Sequence, residues 1–109
     1  MPKNLLTRTL PAPVDKALKT LGANLKTARQ RRDLTVQEVA EQIGVSRQLV
    51  ADAERGKPTT GVAVYVALLW SFGLLDRLAE VVDPGKDRVG MAGALMQGRS
   101  RVRHREDDP

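Results

Sequence analysis

Leu34 to Lys57 reads LTVQEVAEQIGVSRQLVADAERGK, and each start and stop in it has a local cause. Thr35 stands at an N-cap, with Glu38 three residues on to complete a capping box, and Leu34 and Val39 hold the positions of a hydrophobic staple. Gly44 suits the left-handed position that ends a helix. Ser46 then caps a second helix, Val45 and Val50 repeat the staple spacing, and Gly56 closes it. The spacing predicts two short amphipathic helices joined at Ile43-Gly44-Val45-Ser46. Helical periodicity turns Val39, Ala40 and Ile43 inward on the first, and Leu49, Val50 and Ala53 inward on the second. Arg47, Gln48, Ala51, Asp52 and Arg55 are left facing outward.

Upstream, a helix is expected from about Pro13, a residue favoured in the first turn, to about Arg32. Val14, Leu18, Leu21, Leu25 and Ala28 recur in steps of four and three, one apolar stripe despite Gly22. Lys26, Gln30, Arg31 and Arg32 lie off that stripe, where phosphate contact and a solvated basic face are equally good readings. Met1 to Ala12 carries two prolines among mixed residues and reads as an arm.

Downstream, Thr60 is placed to cap a helix from Gly61 to Phe72, GVAVYVALLWSF, with Gly73 to end it. This segment is apolar nearly all round, and Trp70 is the only tryptophan of the chain. Composition alone puts Trp70 in the core. A further helix from Leu75 to about Val82 is expected to bury Leu75, Leu78 and Val82 before Asp83-Pro84-Gly85. Residues 84–109 read as a flexible basic tail, because Gly90, Gly93 and Gly98 each cost a helix about 1 kcal/mol relative to Ala. Its Arg99, Arg101, Arg103 and Arg105 suit DNA backbone, an acidic protein or simple solubility.

The register of an Arg near the end of the first helix, LT-x-x-E-x-A, G-V-S and E-R-G-K resembles the Xre and phage-repressor type of helix-turn-helix over roughly Leu18 to Val82. The resemblance implies an all-α, compact five-helix domain, here 13–83, whose third helix enters the major groove. By position it implies base reading by Arg47 and Gln48, with Ala51 and Asp52 on the same face. Arg47 suits guanine O6 and N7, Gln48 suits adenine N6 and N7, and the Ala51 methyl suits a thymine methyl. Ser46, Arg55 and Lys57 fall where phosphate contacts set register without reading sequence. The family commonly has a phosphate-binding Gln just after the Thr cap. Here Val36 holds that place, and Gln37, about 100° further round the helix, is the candidate for the contact. Arg29 and Glu54 occupy positions that pair across the first and third helices, a structural ion pair. Trp70 falls where the family is usually polar and exposed, so with Ala63 and Ala67 it becomes a candidate protein-binding surface.

A narrower resemblance lies in LPAPVDKAL, LLWSFGLLDRLAEVVDP and the DRVG that follows. These are similar to HipB-type antitoxins, Xre-family proteins encoded beside HipA-like serine/threonine kinase toxins. That resemblance implies a homodimer that binds operator DNA in its own promoter, represses the operon and neutralises the kinase. The alternative within the same fold is a stand-alone repressor without a toxin. A purely protein-binding adaptor on this scaffold is a third reading, because fold alone does not decide function.

Composition is compatible with all three. The chain has 109 residues, enough for one small core, a formal charge of +5, and no Cys. The charge and a pI of about 10.1 favour a polyanionic partner. No stretch approaches the roughly 20 apolar residues of a membrane span, and no secretory signal is visible, so a cytoplasmic, nucleoid-associated protein is expected. The only His is His104, and neither a glycine-rich phosphate loop nor paired carboxylates are found, so catalysis, a metal and a cofactor are not expected.

Overall fold

The computed structural model describes residues 10–106, with side chains to Gly98. They form six α-helices and no strands among the described residues: α1 Ala12–Arg31, α2 Val36–Ile43, α3 Arg47–Glu54, α4 Val62–Ser71, α5 Leu75–Ala79 and α6 Arg88–Glu106. A 3₁₀ turn, Pro84–Lys86, precedes α6. Residues 1–9 of the expected arm, and the side chains of Arg99, Arg101, Arg103 and Arg105, lie outside the described residues. The chain divides into two compact units at Leu75 and Asp76.

The first unit holds one core, made of Leu25 from α1, Val39 and Ala40 from α2, Val50 and Ala53 from α3, and Val64, Tyr65, Leu68 and Phe72 around α4. Its short helices are held in place by their ends. The Glu38 N–H donates to Thr35 Oγ1 at 3.0 Å while the Thr35 N–H donates to Glu38 Oε1 at 2.8 Å, a closed capping box. These two bonds hold the Glu38 carboxyl below its ordinary value of 4.5, the Thr35 backbone contributing most. Gly44 at φ 77° ends α2. The Leu49 N–H donates to Ser46 Oγ at 3.2 Å and starts α3. The staple residues Leu34 and Val45 pack, partly buried, against the core. At the far end of α4, Gly73 at φ 76° lets the Leu74 N–H reach back to Leu69 O at 2.8 Å, the six-to-one bond of a Schellman motif.

Gly22, which leaves the apolar stripe of α1 without a side chain at that position, is buried and required. A Cβ there would stand 2.6 Å from the carbonyl oxygens of Ala53 and Glu54 and 2.8 Å from the Gly56 nitrogen. Gly56, at φ 69°, faces back: its Cβ would meet Leu18 O at 2.6 Å. Two glycines thus let α1 touch the closing turn of α3 backbone to backbone.

Several expectations need correction. Val14 and Leu49, expected inward, are 42% and 37% exposed. Thr60 does not cap α4: the turn closed by its own N–H to Lys57 O directs it inward, it is buried, and Gly61 takes the cap position with no side-chain bond. Leu75, Leu78 and Val82 are exposed rather than buried. The α-helical register stops at Ala79. Glu80 and Val81 then bond three residues back, and Val82 loses its place on the helix face. In the second unit, residues 88–106 are helical where a tail without helix was expected. The Gly90 N–H donates to Asp87 Oδ1 at 2.9 Å, which caps the start. Met91, Ala92, Ala94, Leu95, Met96 and Gln97 are good helix formers that offset the three glycines.

Candidate nucleic-acid interface

The outward side of α3 begins at its N-terminus, where the first-turn N–H groups and the helix dipole favour an anion. Ser46, Arg47 and Gln48 are exposed there, and Ala51 is half-buried one turn on. Among the described residues Arg47 forms no hydrogen bond or ion pair, so all five of its N–H donors are free for a ligand. Ser46 accepts the Leu49 N–H and retains its own O–H as a donor. Gln37 is exposed on α2, with Nε2 donating to Glu41 Oε2 at 3.0 Å.

Asp52 departs from expectation. Placed on the outward face by periodicity, it is only 6% exposed. Three side chains converge on its carboxylate and cover it: Gln48 Nε2 donates to Oδ1 at 2.9 Å, Arg55 Nη2 to Oδ1 at 2.6 Å, and Lys57 Nζ lies 3.6 Å from Oδ2. The Gln48 bond, aided by the Lys57 and Arg55 charges, holds the Asp52 carboxyl below its ordinary value of 3.8, against the opposing effect of burial. In this arrangement the carboxylate faces side chains of its own domain, with both hydrogen bonds on Oδ1 and the Lys57 ammonium beside Oδ2.

Arg55 and Lys57 reach Asp52 because α3 ends as it does. Gly56 adopts a left-handed conformation and the Lys57 N–H returns to Asp52 O at 3.0 Å, folding Lys57 back over the last turn. The Tyr65 O–H donates to Lys57 O at 3.3 Å from α4. Burial pushes the Tyr65 phenol further up from its ordinary value of 10.0. Arg55 and Lys57 keep much of their surface, with side chains 65% and 51% exposed. Each retains donors beyond those spent on Asp52.

Behind this face, Arg29 joins α1 to α3. Its Nε donates to Glu54 Oε2 at 2.7 Å, its Nη2 to Glu54 Oε1 at 3.1 Å, and its Nη1 to Leu34 O at 2.8 Å. Both side chains are nearly buried, and the Glu54 hydrogen bond raises the Arg29 pKa further from the neutral range. Arg32 is also committed within the fold. Its Nη2 donates to Phe72 O at 2.9 Å and its Cζ lies 5.3 Å from the centre of the Phe72 ring. Helical periodicity alone leaves Arg32 equally suited to phosphate contact and to solvent. Nothing local marks a partner 40 residues away.

On α4, Trp70 is 60% exposed, Ala63 is exposed and Ala67 half-buried, with Val62 75% exposed on the same helix. The apolar segment therefore buries Val64, Tyr65 and Leu68 on one side and leaves apolar surface on the other.

A capped pair of short helices, joined by a glycine turn and braced by a third through a nearly buried Arg–Glu pair, defines a helix-turn-helix protein of the DNA-binding class. A family model described as a helix-turn-helix domain matches residues 20–82. That is more than half of the chain, which belongs to this family. Comparison with curated proteins and with solved structures gives no match. No helix among the described residues is long and apolar enough to cross a membrane.

Proposed function

We propose that this DNA-binding protein is a sequence-specific transcriptional repressor that reads the major groove with Arg47 and Gln48. The observation that carries the reading is the uncommitted Arg47 beside Gln48 on the first exposed turn of α3. Arg47 supplies a fork for guanine O6 and N7, Gln48 an amide for adenine N6 and N7, and Ala51 a methyl surface for thymine. Ser46, Gln37, Arg55 and Lys57 contact phosphate and set the register. A homodimer presents two such helices about 34 Å apart to a near-palindromic site.

The narrower part of the proposal is an antitoxin role, with repression of a toxin-antitoxin operon and neutralisation of a HipA-like kinase. It is supported by the resemblance to HipB-type antitoxins together with the exposure of Trp70, a large rigid aromatic of the kind that anchors protein interfaces. Ala63 and Ala67 flank it. The stand-alone repressor differs in having no such partner.

The test of base reading is selection of duplexes from a random pool with the full chain, followed by affinity measurements at fixed salt. Replacing Arg47 and Gln48 together by Ala removes two contacts worth about 1 to 3 kcal/mol each and brings binding to the non-specific level. Unchanged affinity overturns the proposal and favours the adaptor. For the antitoxin role, nuclease-treated affinity purification from the native host recovers a HipA-like kinase at stoichiometric level, and Trp70→Ala weakens that complex while sparing DNA binding. A clean homodimer without a kinase favours the stand-alone repressor.

A further inference from the structure

We propose that Asp52 is a positioning residue: its carboxylate locks the Gln48 amide in one orientation and restrains Arg55 and Lys57, so that it sets base discrimination without touching a base. The inference rests on the base-reading role of α3 proposed above. An ionised carboxylate only accepts hydrogen bonds. With Gln48 Nε2 2.9 Å from Asp52 Oδ1, the flipped amide would bring two acceptor oxygens together. Gln48 therefore points its oxygen and its second N–H away from Asp52, the pair that an adenine edge requires. The geometry is available because Gln48 and Asp52 stand four residues apart on one helix face.

The same carboxylate acts on the phosphate-contacting groups. Arg55 at 2.6 Å and Lys57 at 3.6 Å face it from the end of α3, and Tyr65 faces the turn from α4. Asp52 partly neutralises these cations and lowers the attraction of this surface for any polyanion. Sequence-independent binding is almost wholly electrostatic, so a buried anion beneath the phosphate-facing cations suppresses it more than it suppresses specific binding. Being 6% exposed, Asp52 contributes in this way with little competition from water.

The experiment uses the full chain, a duplex selected by the wild-type protein from a random pool, and an unrelated duplex of equal length. Asp52→Asn keeps shape and removes the charge. Losing a preordered Gln48 lowers discrimination at its base pair roughly three- to tenfold. Binding to the unrelated duplex tightens by a factor of a few and its salt dependence steepens by about one phosphate contact. In a Gln48→Ala background the Asp52→Asn change no longer alters discrimination at that base pair. Equal loss on both duplexes, an unchanged specificity ratio, or the same effect without Gln48 overturns the proposal. A wild-type chain that selects no sequence overturns the base-reading role itself. Should Asp52→Asn fail to fold, the side-chain amide resonances of Gln48 in the free wild-type protein provide the test. They shift as Asp52 protonates below the ordinary carboxylate range, and an amide indifferent to that titration overturns the proposal.

Discussion

Replacing Gly22 by Ala separates local helix propensity from tertiary contact, because the two predict opposite signs. In an exposed helix the change stabilises by about 1 kcal/mol. At Gly22 the new Cβ lands 2.6 Å from two carbonyl oxygens and 2.8 Å from a backbone nitrogen, where ordinary contact begins at 3.4 Å. The atoms that must yield belong to the last turn of α3 and its closing glycine, whose positions are held by the Gly56 and Lys57 N–H bonds. A shift of roughly 0.8 Å, 3.4 less 2.6, is needed. It would drag the Asp52 cluster and the Arg29 pair with it. Overpacking of this kind costs about 1 to 3 kcal/mol, and with neighbours that are backbone rather than flexible side chains we expect a net loss near 2 kcal/mol. For a domain of this size that lowers the melting temperature by roughly 10 °C. Far-UV circular dichroism during urea and thermal unfolding measures it. Gly93→Ala in α6, where nothing lies within 4 Å of the added carbon, is the control and does not destabilise. A neutral or stabilising Gly22→Ala would refute the backbone contact between α1 and α3.

Other expectations follow from the same geometry. Gly56→Ala combines a positive φ with a contact at 2.6 Å to Leu18 O, so it destabilises at least as much as Gly22→Ala by the same assay. Glu54→Ala strands Arg29, whose side chain is 11% exposed, and costs on the order of 3 kcal/mol; replacing both residues by apolar ones costs much less, which a double-mutant cycle resolves. Glu38 and Asp52 both have depressed folded-state pKa values, so the unfolded chain binds more protons as acid is added. Their stabilisation is complete above the ordinary values of 4.5 and 3.8 and is lost as pH falls through the lower folded values, and Glu38→Gln flattens this acid limb of the melting temperature. Trp70→Ala leaves the melting temperature nearly unchanged because the side chain is 60% exposed, whereas a large drop would assign it to the core.

What the sequence determined by itself is the set of features whose partners lie within a few residues. The Thr35–Glu38 box, Ser46, and the glycines at 44, 56 and 73 act on their own helix ends; the spacing of all but the last marks the two short helices and the turn between them, and Gly73 marks the end of α4. The exposed Arg47 and Gln48 follow from the same periodicity. Tertiary structure decided what depends on distant or converging groups. Gly22 is a point of contact because Ala53 and Glu54 are brought to it, and Arg32 is committed because Phe72 lies beneath it. Asp52 has the simple spacing of an outward residue, yet three neighbours satisfy and cover its charge. The glycine count argued against α6, while the Asp87 cap and the surrounding helix formers opposed that count. Local hydrogen bonds are written at short range in the chain; desolvation and close packing depend on which segments meet, and periodicity carries no record of that.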